Sequence, residues 1–160
     1  YGRELLEERA PHLDACLLAS AYRRGCAATV HVAIGTDTIH HHPRCDGAAL
    51  GETSLRDFRI LAATLAEARG AAVLNFGSAV ILPEVFLKAL AVARNLGADL
   101  SDLTTVNFDQ IQHYRPRVNV VERPTRAPGS RGYSLTGHHE ILLPLFAAAV
   151  LADAPAGSLA

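Results

Sequence analysis

Residues 73–97 read VLNFGSAVILPEVFLKALAVARNLG, and no other stretch constrains the fold as tightly. A short apolar run rich in β-branched and aromatic residues reads as a buried strand. It ends in Asn-Phe-Gly-Ser-Ala, a turn of small residues. Pro83 suits the first helical position, because it lacks only an N–H that would be orphaned anyway. The helix runs on to Asn95, and Gly97 stops it.

Similar units lie on either side. AATVHVAIG, residues 27–35, reads as a buried strand, and so does LTTVNF, residues 103–108. Helices are expected at LLEERA, stopped by Pro11, and at HLDACLLASAYRRG, where Arg23 and Arg24 suit a C-terminus. A third is expected at TSLRDFRILAATLAEARG, capped by Thr53 or Ser54 and ended by Gly70. Residues 109–136 show little periodicity and read as irregular, with a short strand at VNVVE. HHEILLPLFAAAVLADA is a terminal helix with Pro144 in its first turn or two. The tail PAGSLA is expected to fray. Strands alternating with helices imply right-handed crossovers and a parallel sheet with helices on both faces, in one α/β domain over residues 1–160.

With 49% hydrophobic and 19% charged residues the chain is globular. A net charge of -1 forces no face to be strongly basic, so nucleic acid is not an expected partner. No uninterrupted apolar stretch reaches the roughly 18 residues of a membrane span. Cys16, Cys26 and Cys45 form no C-x-x-C pair, so free thiols in a reducing cytoplasm are the simplest reading. The N-terminus is no secretion signal. It lacks an initiator methionine and opens in mid-helix, so the chain is expected to be a fragment or one part of a larger protein, which the resemblance below makes the C-terminal part.

In parallel sheets ligands bind beyond the carboxyl ends of the strands. Three polar segments fall there: GTDTIHHHP, NFGSA and NFDQIQHYRP. Gly77 and Ser78 would let a backbone approach a ligand closely, and the helix that follows suits a phosphate; the alternative is a packing turn. Asp37 could accept hydrogen bonds from a ribose or bind an amine; the alternative is a cap or turn residue. Asn107, Asp109, Gln112, His113, Tyr114 and Arg115 are dense polar groups behind a strand. Arg115 could hold a carboxylate or phosphate; the alternative is a solvated loop whose arginines pair with nearby acids. His40, His41 and His42, near Cys45, and His138 with His139 raise a zinc site. Adjacent histidines on an extended stretch point in opposite directions, so no metal ligand set is assigned. His31, inside a strand, reads as a hydrogen-bonded core histidine.

The order ATVHVAIGTD, a long loop, RDFRILAATLAEARG, AVLNFGSAVILPEVFLKALAVARN, TTVNFDQIQHYRP and HHEILLPLFAAAVL resembles the C-terminal part of the deoxyhypusine synthase family, over residues 26–151. A group of larger bacterial proteins shares the pattern. The resemblance implies a Rossmann-like, NAD-binding fold and a homo-oligomer, often a tetramer. It implies an NAD-dependent transferase acting on a polyamine or other amine. Carried over by motif, Asp37, Gly77, Ser78 and Asn107 would bind the cofactor. Asp109, His113 and Arg115 would face the substrate as catalytic residues. The chain departs from the family where RPRVNVVERPTR offers neither lysine nor tryptophan; its one lysine, Lys88, sits in a helix. The family's histidine beyond the glycine turn is replaced near Pro83 and Glu84. Two other classes compete: a non-catalytic protein that keeps the fold and assembles with its own kind or a partner chain, and a metal-dependent hydrolase built on the histidine loop.

Overall fold

The computed structural model describes residues 1–155, so from 156 onward the tail expected to fray lies outside the described residues. The chain forms two compact units, Tyr1–Leu61 and a second that begins at Ala62.

The N-terminal unit holds helices α1 (Gly2–Glu7) and α2 (Leu17–Arg23), with one short 3-10 turn at Leu13–Ala15 and another at Thr38–His41. The single helix expected over residues 12–25 is broken. Pro11 disfavours helical backbone just before it, His12 has φ +63°, and Cys16 is extended as the N-cap of α2. The strand expected at 27–35 does not form. A strand exists only through its ladder, and among the described residues no strand pairs with this segment. Its Val30 N–H instead donates to Asp57 Oδ2 at 2.7 Å. His31 is half-buried, with Nε2 3.0 Å from Thr29 Oγ1. Helix α3 (Gly47–Ala66) starts earlier than the Thr53 or Ser54 cap implied. Asp46 Oδ1 accepts the N–H groups of Ala48 and Ala49 at 2.9 and 3.2 Å and is the true cap. Thr53 lies inside the helix, its hydroxyl donating to Ala49 O.

The second unit is an open α/β sheet of three parallel strands in the order β1-β2-β3: β1 (Ala72–Phe76), β2 (Thr104–Asp109) and β3 (Arg131–Thr136). Helix α4 (Ile81–Asn95) links β1 to β2 as expected, with Pro83 in its first turn and Gly97 at φ +94° beyond its end. Between β2 and β3 runs α5, which opens at Tyr114–Pro116 and continues as a π-helix over Arg117–Glu122. The VNVVE strand is therefore a helix. Pro116 pre-sets helical backbone, Arg123 N bonds Val118 O five residues back, and burial of Val118, Asn119 and Val120 overrides their β preference. β3 falls in the stretch expected to be irregular. It is an edge strand with all six residues exposed, and Gly132 weakens its pattern. That glycine is required: a Cβ there would lie 2.5 Å from Val121 O of α5.

Strand pairing decides what each face carries. Gly132 pairs with Thr105, so α5 packs on the face of Thr105, Asn107 and Asp109. Phe76 pairs with Phe108 on the opposite face. Their rings stack at 4.2 Å, and Phe146 of helix α6 (His139–Asp153) meets Phe108 edge-on at 5.5 Å. Leu90, Leu103 and Val120 are fully buried. Along α6, Ile141, Leu143, Leu145 and Leu151 remain exposed. No helix among the described residues is long and apolar enough to cross a membrane.

Leu90→Ala is expected to cost about 2–5 kcal/mol in urea unfolding, whereas the exposed Leu151→Ala should stay within about 0.5 kcal/mol. Burial lowers the pKa of His31 from 6.5, against a smaller raising effect of Asp57. The unfolded chain then takes up the proton first, so stability should fall as pH drops through and below 6.5. His31→Gln should flatten that part of a stability–pH curve, and an unchanged curve would refute it.

Candidate functional site

The carboxyl ends of β1 and β2 carry two Asn-Phe pairs in register, Asn75 opposite Asn107 and Phe76 opposite Phe108. Period-two alternation sends the phenylalanines to one face and the asparagines to the other. Asn75 Nδ2 donates to Asn107 Oδ1 at 2.7 Å and to Ser78 O at 3.0 Å. Asn107 Nδ2 donates to Gln112 Oε1 at 2.7 Å. Gln112 Nε2 continues to Leu135 O and Thr136 Oγ1 on β3. A single chain of amides thus spans all three strand ends. Asn107 is fully buried within it, so it holds the loops in place from beneath.

Above it lies the turn between β1 and α4. Gly77 has φ +63°, and its N–H donates to Phe108 O at 3.3 Å. Ser78 Oγ accepts the Leu82 N–H at 3.2 Å, supporting the first turn of α4. The room left by the missing side chain of Gly77 is taken by His139, whose Cε1 would lie 3.1 Å from a Cβ there.

Asp109 ends β2 on the asparagine face. It is 7% exposed, and among the described residues its carboxylate has neither a hydrogen bond nor an ion pair. Only its backbone oxygen is used, by the Gly137 N–H at 3.2 Å and by Gln112 Nε2. Among the described residues the enclosed side-chain atoms without a partner are His40 Nε2 and Thr105 Oγ1, not the Asp109 oxygens, so this carboxylate keeps an opening to solvent at the strand ends.

The other expected residues are placed differently. Arg115 Nε lies 3.5 Å from Glu84 Oε1, so its guanidinium pairs with an acid, as the solvated-loop alternative had it. Glu84 also accepts from Asn119 Nδ2 at 2.8 Å and meets Lys88 at 3.4 Å, tying α4 to α5. His113 is the exposed N-cap residue of α5, with no side-chain cap bond. Asp37 belongs to the N-terminal unit, where it precedes the Thr38–His41 turn. The strand meant to carry it does not form. Gly77, Ser78, Asn107 and Asp109 are thus brought together, and Asp37 owes its candidacy to motif alone.

The histidine loop is not extended but a 3-10 turn. Its rings serve locally: His40 Nδ1 accepts the Gly35 N–H and His42 Nδ1 the Arg44 N–H, both at 3.2 Å. Among the described residues no group of three or more His, Cys, Asp or Glu is disposed to hold a metal ion. A cavity of about 660 Å³ lies within the N-terminal unit, between apolar walls that include Leu18, Val30, Val32 and Leu50, with Asp57 at its lining.

Sequence reading left Asn75 out of the site, although the repeated Asn-Phe at two strand ends was a visible signal. His139 enters the sequence reading only as a zinc candidate at the start of the terminal helix. Its contact with a turn some sixty residues earlier has no local signature. In class, then, the second unit is an open parallel α/β sheet with a polar strand-end site. No protein-family model, curated protein or solved structure matches the chain.

Asn107→Ala would remove one hydrogen bond from each of the Asn75 and Gln112 amides and leave Gln112 Oε1 without its partner. It should cost about 1–3 kcal/mol by chemical denaturation. A loss well below that range would show that the amide chain does not hold the strand ends.

Proposed function

We propose that this chain is a deoxyhypusine synthase-like protein that binds NAD or a related nucleotide at the carboxyl ends of β1 and β2, in a Rossmann-like arrangement. It would act as an NAD-dependent transferase on an amine. The observation that carries this reading is the unpartnered carboxylate of the mostly buried residue Asp109, beside the Gly77–Ser78 turn. A carboxylate with no protein partner keeps its lone pairs for a ligand's hydroxyl or ammonium group. At the opening of α4 the Ile81 N–H is left for a phosphate, since Ser78 Oγ takes the Leu82 N–H and Pro83 has none. Both demands fit a nucleotide. When bound, NAD supplies a hydride acceptor; the residues named here bind and orient it. Asn107 supports the floor, and Arg115 reaches a ligand only by leaving Glu84. Asp37 and His113 enter through the family resemblance. Lys88 is ion-paired to Glu84 on α4, so this reading assigns no covalent step to a lysine. Three free cysteines fit a cytoplasmic setting.

A second reading is favoured by α6, whose exposed Ile141, Leu143, Leu145 and Leu151 form an unpartnered apolar surface. On that reading the chain keeps the fold without the chemistry and assembles with other copies of itself. Sedimentation separates the two, since assembly abolished by Leu145→Glu, with no response to NAD, favours the second.

Saturation with NAD at about a hundred times Kd should stabilise the protein by about 2.7 kcal/mol, read as a rise in Tm. An unmoved Tm would sink the nucleotide reading. Asp109→Asn should leave the stability of the free protein within about 0.5 kcal/mol, since the carboxylate has no protein partner to lose, while weakening NAD binding about tenfold. Loss of both stability and affinity would instead mark Asp109 as a structural group.

A further inference from the structure

We infer that His139 is a positioning residue of the strand-end site: its imidazole fills the place of the side chain that Gly77 lacks and locks the turn between β1 and α4. The inference rests on the nucleotide reading for its ligand, but the lock itself does not. A Cβ at Gly77 would sit 3.1 Å from Cε1, 3.6 Å from Nε2 and 3.8 Å from Nδ1 of His139, so the ring covers the turn. His139 Nε2 lies 3.0 Å from Phe108 O. The Gly77 N–H reaches the same oxygen at 3.3 Å. A carbonyl oxygen only accepts, so Nε2 carries a proton, and the two lone pairs of one oxygen hold ring and turn together.

Two consequences follow from that geometry. The glycine at residue 77, with φ +63°, makes room for a histidine of its own chain. In the neutral ring, Nδ1 keeps its lone pair and has no hydrogen bond among the described residues. It is therefore an acceptor at the strand ends, in the same unit as the free carboxylate of Asp109. His139 is also the first residue of α6, so the helix that packs Phe146 on the phenylalanine face also holds the turn whose Ser78 carbonyl is tied to the asparagine face.

Amide exchange followed by NMR in the ligand-free protein tests the lock, with NAD titration as the second readout. His139→Ala should speed exchange of the Gly77 amide about tenfold or more while leaving the Leu90 amide unchanged. His139→Gln, whose amide N–H can still reach Phe108 O, should keep Gly77 within about threefold of wild type. His139→Asn, too short to reach, should follow the alanine variant and serves if that variant fails to fold. NAD affinity should fall about tenfold in the alanine or asparagine variant and recover in the glutamine variant. Unchanged Gly77 exchange in both alanine and asparagine variants would overturn the inference. Equal damage in the glutamine variant would do the same. If wild type binds no NAD, the nucleotide reading fails by itself, and the exchange data still decide the lock.

Discussion

The in-register pairing of β1 with β2 is the constraint on which the second unit depends. Because Asn75 faces Asn107 and Phe76 faces Phe108, one step along the strands separates two kinds of surface. The phenylalanine side is closed by the ring of Phe146. The asparagine side receives α5, close to Gly132. A slip of one residue would send both aromatic rings among the amides and both amides against the aromatic cluster. Burial on the two faces therefore fixes the register, and the register fixes where Gly77, Ser78 and Asp109 arrive.

Polar groups at the strand ends divide by how well they are satisfied. Asn75, Asn107 and Gln112 bond one another and the backbone, so they stiffen the ends of all three strands. Asp109 shares their face but has no side-chain partner. Glu84, by contrast, pairs with exposed Arg115 and Lys88, ion pairs that contribute little to stability, and accepts a hydrogen bond from the buried Asn119. Of the two carboxylates, only Asp109 sits on a mostly buried residue and has no side-chain partner. That difference, and not the number of polar residues, singles it out.

How much of this was legible follows the range of the forces involved. β1, the glycine turn, α4 and β2 are written locally, in apolar runs, Pro83 and Gly97, and they appear where expected. Long-range partners decided the rest. Residues 27–35 have strand composition but no ladder among the described residues. Residues 118–122 have strand composition but are drawn into a helix by Pro116 and by burial against α4 and the sheet. β3 has so little core-facing surface that its pattern is faint. Asp46 outranked Thr53 as a cap because its side chain reached the free N–H groups first. Within the site, Gly77, Ser78, Asn107 and Asp109 could be anticipated from their position after strands. That Asn107 would be a fully buried bridge, and Arg115 an ion pair, depends on neighbours 32 and 31 residues away in sequence.

The glycine turn shows why composition alone misassigns such a residue. A small residue between a strand and a helix is compatible with a ligand, with a packed side chain, or with backbone strain. Here two of the three act at once: φ at residue 77 lies in the left-handed region, and the His139 ring occupies the vacant side-chain position. A ligand at this turn meets an imidazole where bare backbone would be expected. On the nucleotide reading, contact with phosphate would fall to the Ile81 N–H, because Ser78 Oγ holds the Leu82 N–H and Pro83 has none. Contact with hydroxyl or amine hydrogens would fall to the Asp109 carboxylate and to Nδ1 of His139. On that reading selectivity would be set by which acceptors remain free once the fold has used its own donors.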